Sequence, residues 1–112
     1  MTNTPPITIT PEHWAIVRNI LQKHVPACAV WAFGSRVTGR VKPYSDLDLA
    51  VISGTPLGWH LIEDLKEDFS HSDLPWRVDV VDWASTDPAF QAIIARNKVV
   101  VQRSGYGVIR CC

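Results

Sequence analysis

The chain carries no excess charge of either sign. Eleven Lys and Arg balance 11 Asp and Glu over 112 residues, for a formal net charge of zero. Global charge therefore argues neither for nor against nucleic acid, and indicates none. Cysteine is scarce: Cys28, Cys111 and Cys112 are an odd set with no metal-ligand spacing. That excludes a cysteine-built zinc site and fits a reducing, cytoplasmic setting better than a disulfide framework. No apolar run approaches the ~18 residues that would span a membrane. The start, "MTNTPPITIT", has no basic segment followed by an apolar stretch, so it does not read as a signal peptide. The end, "IRCC", lacks the spacing of a prenylation site. There are no internal repeats and no low-complexity segments.

What remains is a soluble, foldable composition, 46% hydrophobic and 20% charged. The length suits one small domain with one core. Residues 10–103 are expected to form it, with 1–9 as an arm and 104–112 as a tail to which no function is assigned.

Thr10-Pro11 predicts a helix start, with Thr as N-cap and Pro at the first position. Trp14, Val17 and Leu21 recur at helical spacing, and Pro26 ends the segment. "CAVWAF" (28–33) has no helical period and predicts a strand buried on both faces. Gly34-Ser35 breaks it, and Ser35 can cap a helical turn over 36–41. "DLDLAVI" (46–52) predicts a second strand, with Leu47, Leu49 and Val51 on one face and Asp46, Asp48, Ala50 and Ile52 on the other. Residues 59–69 predict an amphipathic helix whose "EDLKED" stretch is a solvated face. "WRVDVVDW" (76–83) predicts a third strand. Asp87-Pro88 opens another helix to about Arg96, and 98–102 is a last strand or a helix end. The order implies an α/β (α+β) fold: a small mixed sheet flanked by helices.

The chemistry concentrates in "GSRVTGRVKPYSDLD", Gly34 to Asp48. Residues i and i+2 of a strand project together, about 6–7 Å apart. Asp46 and Asp48 therefore form a pair that repels itself unless a cation lies between them, which suits a hard ion such as Mg²⁺. Gly34 lets backbone approach a ligand, and the turn after it can receive an anion. Arg36, Arg40 and Lys42 lie where phosphate oxygens would be. Asp79 shares a face with Arg77 and Val81, and Asp82 the opposite one, so only one of them can join a given site. Asp79 is the better candidate, because an aspartate inside a hydrophobic strand is costly unless paired. Gly34-x-x-x-x-Gly39-Arg40-Val41 approaches a P-loop, but Arg40 replaces its lysine and Val41 its hydroxyl, so that reading is rejected.

Gly34-Ser35, ten residues, then Asp46-x-Asp48 resembles the signature of the nucleotidyltransferase superfamily related to DNA polymerase beta. The short chain and element order resemble its minimal (MNT) branch over roughly residues 10–100. The resemblance implies the polymerase beta-like fold. It implies that Gly34 and Ser35 contact nucleotide phosphates, that Asp46 and Asp48 hold Mg²⁺ (two ions across the site), and that Asp79 is the third carboxylate, helping to activate the acceptor hydroxyl. The implied reaction moves AMP from ATP, releasing pyrophosphate. The implied partner is a helical HEPN-type toxin that the MNT chain neutralises, in such pairs by adenylylating a tyrosine.

Nothing in 112 residues supplies a separate acceptor-gripping domain, so another chain or another copy is expected to hold the acceptor, as a homo- or hetero-oligomer. Trp59, Trp76 and Trp83 near element ends suit an interface; Trp14 and Trp31 read as core. The four histidines show no metal spacing. Two other readings stay open: neutralisation of a partner by contact alone, and nucleotidyl transfer to RNA or a small molecule.

Overall fold

The computed structural model describes residues 5–39, 45–54 and 57–103. The elements run α1 (Pro11–His24), β1 (Ala29–Phe33), α2 (Ser35–Thr38), β2 (Leu47–Ile52), α3 (Trp59–Ser70), β3 (Val78–Asp82), α4 (Pro88–Asn97) and β4 (Val99–Gln102). Local chemistry sets the ends. Thr10 Oγ1 accepts the His13 N–H at 3.2 Å, with Pro11 at the first turn of α1. The Asp87 carboxylate accepts the Ala89 N–H at 3.2 Å, with Pro88 in the same place on α4. Each cap satisfies an N–H that the helix itself leaves unpaired.

The four strands form one sheet in the order β3-β2-β1-β4. β2 and β3 are parallel, with α3 as the crossover that parallel strands require. β1 pairs antiparallel with both β2 and β4, so the sheet is mixed. Residues 99–102, ambiguous in sequence, are a strand.

One face of the sheet is the core. Val30, Ala32, Leu47, Leu49 and Val51 are fully buried there, with Val80 nearly so. They pack with Val17 and Leu21 of α1 and Ile62, Leu65 and Phe69 of α3. Burying side chains of this size contributes about 1.5–3 kcal/mol each. The opposite face is thinner. Ala50 of β2 and Ile94 of α4 are fully buried outside the main core cluster. Trp31 meets Trp83 edge-on at 5.0 Å, and Phe33 meets Phe90 at 5.8 Å between ring centroids.

Two expectations need correction. β1 is not buried on both faces: Val30 and Ala32 are sealed, while Ala29, Trp31 and Phe33 are partly exposed. A continuous apolar run resembles a doubly buried strand, yet here large aromatics simply cover one thin face. Gly34, not Ser35, is the N-cap of α2, which ends at Thr38. Cys28 is buried; the other two cysteines lie outside the described residues.

Candidate active site

The register brings the two halves of the sequence motif against each other. Phe33 pairs with Asp48 across β1 and β2, so the chain leaving β1 turns directly beside that carboxylate. Gly34 makes the turn at φ +86°, a conformation that side-chain-bearing residues rarely adopt. A Cβ at this position would collide with Asp48 Oδ2. Glycine is thus required twice, once by the backbone angle and once by the carboxylate.

The next strand supplies the third group. In the parallel pairing of β2 with β3, Asp48 lies opposite Asp79. Asp46, exposed, stands just before β2. Asp48 is half-buried, and its carboxyl is pushed up to about 6. Burial is the main cause; the negative charges of Asp79 and then Asp46 add to it. Asp48 thus feels both other carboxylates.

Asp82 is separated from these carboxylates as its strand position predicts. Its Oδ2 accepts the Leu57 N–H and the Ser85 hydroxyl, each at 3.0 Å, which ties the loop before α3 to the turn after β3. One argument for Asp79 fails, however. Asp79 is exposed, not buried within its strand, so burial cost does not single it out. Its register against Asp48 does.

Arg36 is a clearer departure. It was expected to face phosphate, but it is only 4% exposed. Its Nη1 donates to Thr8 O at 2.7 Å and its Nε to Ser45 O at 3.0 Å. Its guanidinium lies 4.1 Å from the Trp76 ring centre. Burial lowers its pKa, and nearby Asp46 opposes that effect. The Ser45 carbonyl immediately precedes Asp46, so Arg36 braces the carboxylate loop from beneath instead of reaching into solvent. Arg40 and Lys42 lie outside the described residues. Ser35 opens α2; the first N–H groups of a helix have no acceptor within it.

Two cavities meet at the carboxylates. One, about 660 Å³, lies at the β3 edge and is lined by Asp46, Asp79, Lys66, Trp76 and Arg77, among others. The other, about 400 Å³, lies over the thin sheet face and is lined by Gly34, Asp48, Asp79, Phe90, Ile93 and Asn97, among others. Asp79 borders both. Sequence reasoning missed the α4 lining, although Phe90, Ile93 and Asn97 sit at helical spacing and were available as a pattern.

Three carboxylates, one of them with its carboxyl pushed up to about 6 chiefly by burial, are oxygen donors suited to a hard divalent cation. Among the described residues, no three His, Cys, Asp or Glu side chains converge closely enough to enclose an ion. Like charges alone favour separation, and a cation between them would reverse that preference. The donor chemistry therefore fits Mg²⁺, with closure of the side chains left to binding.

Trp14 is core at 3% exposure and Trp76 is buried at 8%, whereas Trp59 is 68% exposed and stacks on His60. Trp31, expected in the core, is partly exposed beside Trp83. No helix among the described residues is long and apolar enough to cross a membrane.

The chain is similar to known proteins in sequence and in fold. The chain is 55% identical over 102 residues to the probable protein adenylyltransferase MntA of Haemophilus influenzae, covering 91% of this chain and 90% of that one. Among solved structures, a toxin–antitoxin with AMP-PNP superposes with a TM-score of 0.63 at 21% identity, covering 82% of this chain and 74% of that chain. A mutant MntA-HpeT toxin–antitoxin gives a TM-score of 0.68 at 20% identity, over 88% and 76% of the two chains. At these identities the structures establish the polymerase beta-like fold. Residues 16–105 match the family described as Polymerase beta, Nucleotidyltransferase; the chain belongs to that nucleotidyltransferase family.

Proposed function

We propose that this nucleotidyltransferase moves AMP from ATP to a hydroxyl, a tyrosine of a HEPN-type partner toxin, and acts as its antitoxin in the cytoplasm. The observation that carries this reading is the contact of Gly34 with Asp48 in a strand pair that also sets Asp48 beside Asp79. A turn open to phosphate stands against one carboxylate, which is in register with a second. The relative named as a protein adenylyltransferase and the toxin–antitoxin complexes of like fold support the acceptor class.

In this reading Gly34 and the opening N–H groups of α2 receive the triphosphate oxygens. Asp46 and Asp48 hold Mg²⁺, and Asp79 completes the set. Bound Mg²⁺ supplies charge neutralisation at the transferring phosphoryl group and the leaving pyrophosphate. The acceptor oxygen forms a bond to the α-phosphorus as the bond to the β-phosphate bridging oxygen breaks. Asp79, bordering the edge cavity, takes the hydroxyl proton. Arg36 keeps the Asp46 loop in place throughout. Catalysis rests on position and charge.

Label transfer from α-³²P-ATP to a co-expressed HEPN-type partner tests the reading. The wild-type chain labels the toxin in a Mg²⁺-dependent way and neutralises it, and the double variant Asp46→Asn, Asp48→Asn does neither. Full neutralisation by the double variant would establish inhibition by contact alone. Label appearing on tRNA and on no protein would assign an RNA acceptor.

A further inference from the structure

The thin-face cavity has a wall that phosphate and metal chemistry do not explain. Phe90, Ile93 and Asn97 fall at i, i+3 and i+7 of α4, so they form one stripe along the helix. Ile94 faces away from it and is fully buried. The stripe itself stays open: Phe90 is 39% and Ile93 56% exposed. Large apolar side chains exposed next to ionised groups indicate a ligand with an apolar part. The same cavity includes Gly34, Asp48 and Asp79. One end is therefore suited to phosphate and cation, and the other to a flat hydrophobic group.

We infer that the α4 stripe is the nucleoside wall of the site: Phe90 and Ile93 pack against the base of the bound nucleotide, and Asn97 meets the base's polar edge. The inference rests on the nucleotidyl-transfer reading and adds to it which residues grip the nucleoside. Phe90 is already propped edge-on against Phe33, with ring planes at 83°. That contact fixes its ring without using the exposed part. The Asn97 amide offers both a donor and an acceptor, as a base edge does. The cavity's roughly 400 Å³ falls in the range of small-ligand sites. The edge cavity is a poorer candidate, because Gly34 is not part of its lining. A nucleotide whose phosphates lie at Gly34 has its nucleoside closer to the α4 wall. The edge cavity, reaching Asp79 from the other side, is left for the acceptor.

Two ligands separate the wall from the phosphate end. Mg²⁺–AMP-PNP carries a nucleoside; Mg²⁺–tripolyphosphate does not. Binding of each to the full chain is measured by calorimetry for wild type and for the double variant Phe90→Ala, Ile93→Ser. Stacking losses of this kind weaken binding about tenfold or more. AMP-PNP affinity is expected to fall by that factor in the variant, with tripolyphosphate affinity held within about twofold. Equal weakening of both ligands, or unchanged AMP-PNP affinity, would overturn the assignment. Unchanged AMP-PNP affinity with loss of toxin binding would reassign the stripe to the partner. Wild-type protein that binds neither ligand would instead refute the nucleotidyl-transfer reading itself. If the double variant loses its far-UV circular dichroism, Ile93→Ser alone, at an exposed position, gives the same comparison.

Discussion

The two faces of this sheet use alternate residues of the same strand for opposite purposes. On β2, Leu47, Leu49 and Val51 have no exposed surface and hold the helices α1 and α3. Asp48, between the first two, faces the thin side, where its ionised form is disfavoured by burial and by two neighbouring carboxylates. The first face is arranged for stability. The second carries a carboxylate whose ionisation the fold disfavours. Chemistry of this kind is sustained because the core face, one residue away, anchors the strand in register.

Neighbouring substitutions on β2 give the largest contrast. Leu49→Ala is expected to lose about 2–5 kcal/mol of folding stability, read from chemical denaturation, with no direct effect on chemistry in the protein that remains folded. Asp48→Asn is expected to do the reverse. Nucleotidyl transfer falls by about 10³-fold or more, several kcal/mol of transition-state stabilisation. The metal-free protein meanwhile gains stability at neutral pH, because burial and the neighbouring carboxylates disfavour the ionised form of Asp48 in the fold. A destabilised Asp48→Asn variant would break the comparison.

Gly34→Ala tests the joint between the two strands. The positive φ costs about 1–3 kcal/mol for a non-glycine residue. The added methyl also displaces the Asp48 carboxylate. Stability should fall, and Mg²⁺–AMP-PNP affinity should fall further than the strain alone accounts for. Affinity that tracks stability alone would mean that Gly34 serves only the turn.

A smaller effect comes from pH. An unfolded aspartate titrates near pH 3.9, whereas Asp48 in the fold holds its proton to about pH 6. The fold therefore binds the extra proton between these values. This contribution to stability is full below about pH 4 and is lost as pH rises through about 6. Metal-free wild-type protein should show it, and Asp48→Asn should not. Mg²⁺ binding needs the ionised carboxylate, so its affinity should decline about tenfold per pH unit below that pKa.

Much of this was legible from residue order. The caps at Thr10 and Asp87, the period of two in β2 and the apolar stripes of α1 and α3 are local signals, and local signals survive folding. The motif from Gly34 to Asp48 was legible because it joins consecutive strands. Arg36 was misread because nothing in sequence distinguishes a phosphate-facing arginine from one buried on Trp76 and two carbonyls. Burial is a property of the assembled chain. Asp79 was selected for an incorrect reason: it is exposed, and only the register of β3 against β2 identifies it. The α4 stripe carried a periodic signal, but its openness is visible only once the sheet face beneath it is built.

The central claim is that Asp79, and not Asp82, completes the site. Label transfer from α-³²P-ATP to a co-expressed candidate partner, compared for Asp79→Asn and Asp82→Asn, tests it most directly. Asp79→Asn should lose transfer while keeping its melting temperature. Asp82→Asn should keep transfer while losing about 1–3 kcal/mol of stability, through the Leu57 N–H and Ser85 hydroxyl it now satisfies. Equal loss of transfer in both variants, at equal folded fraction, would contradict the account.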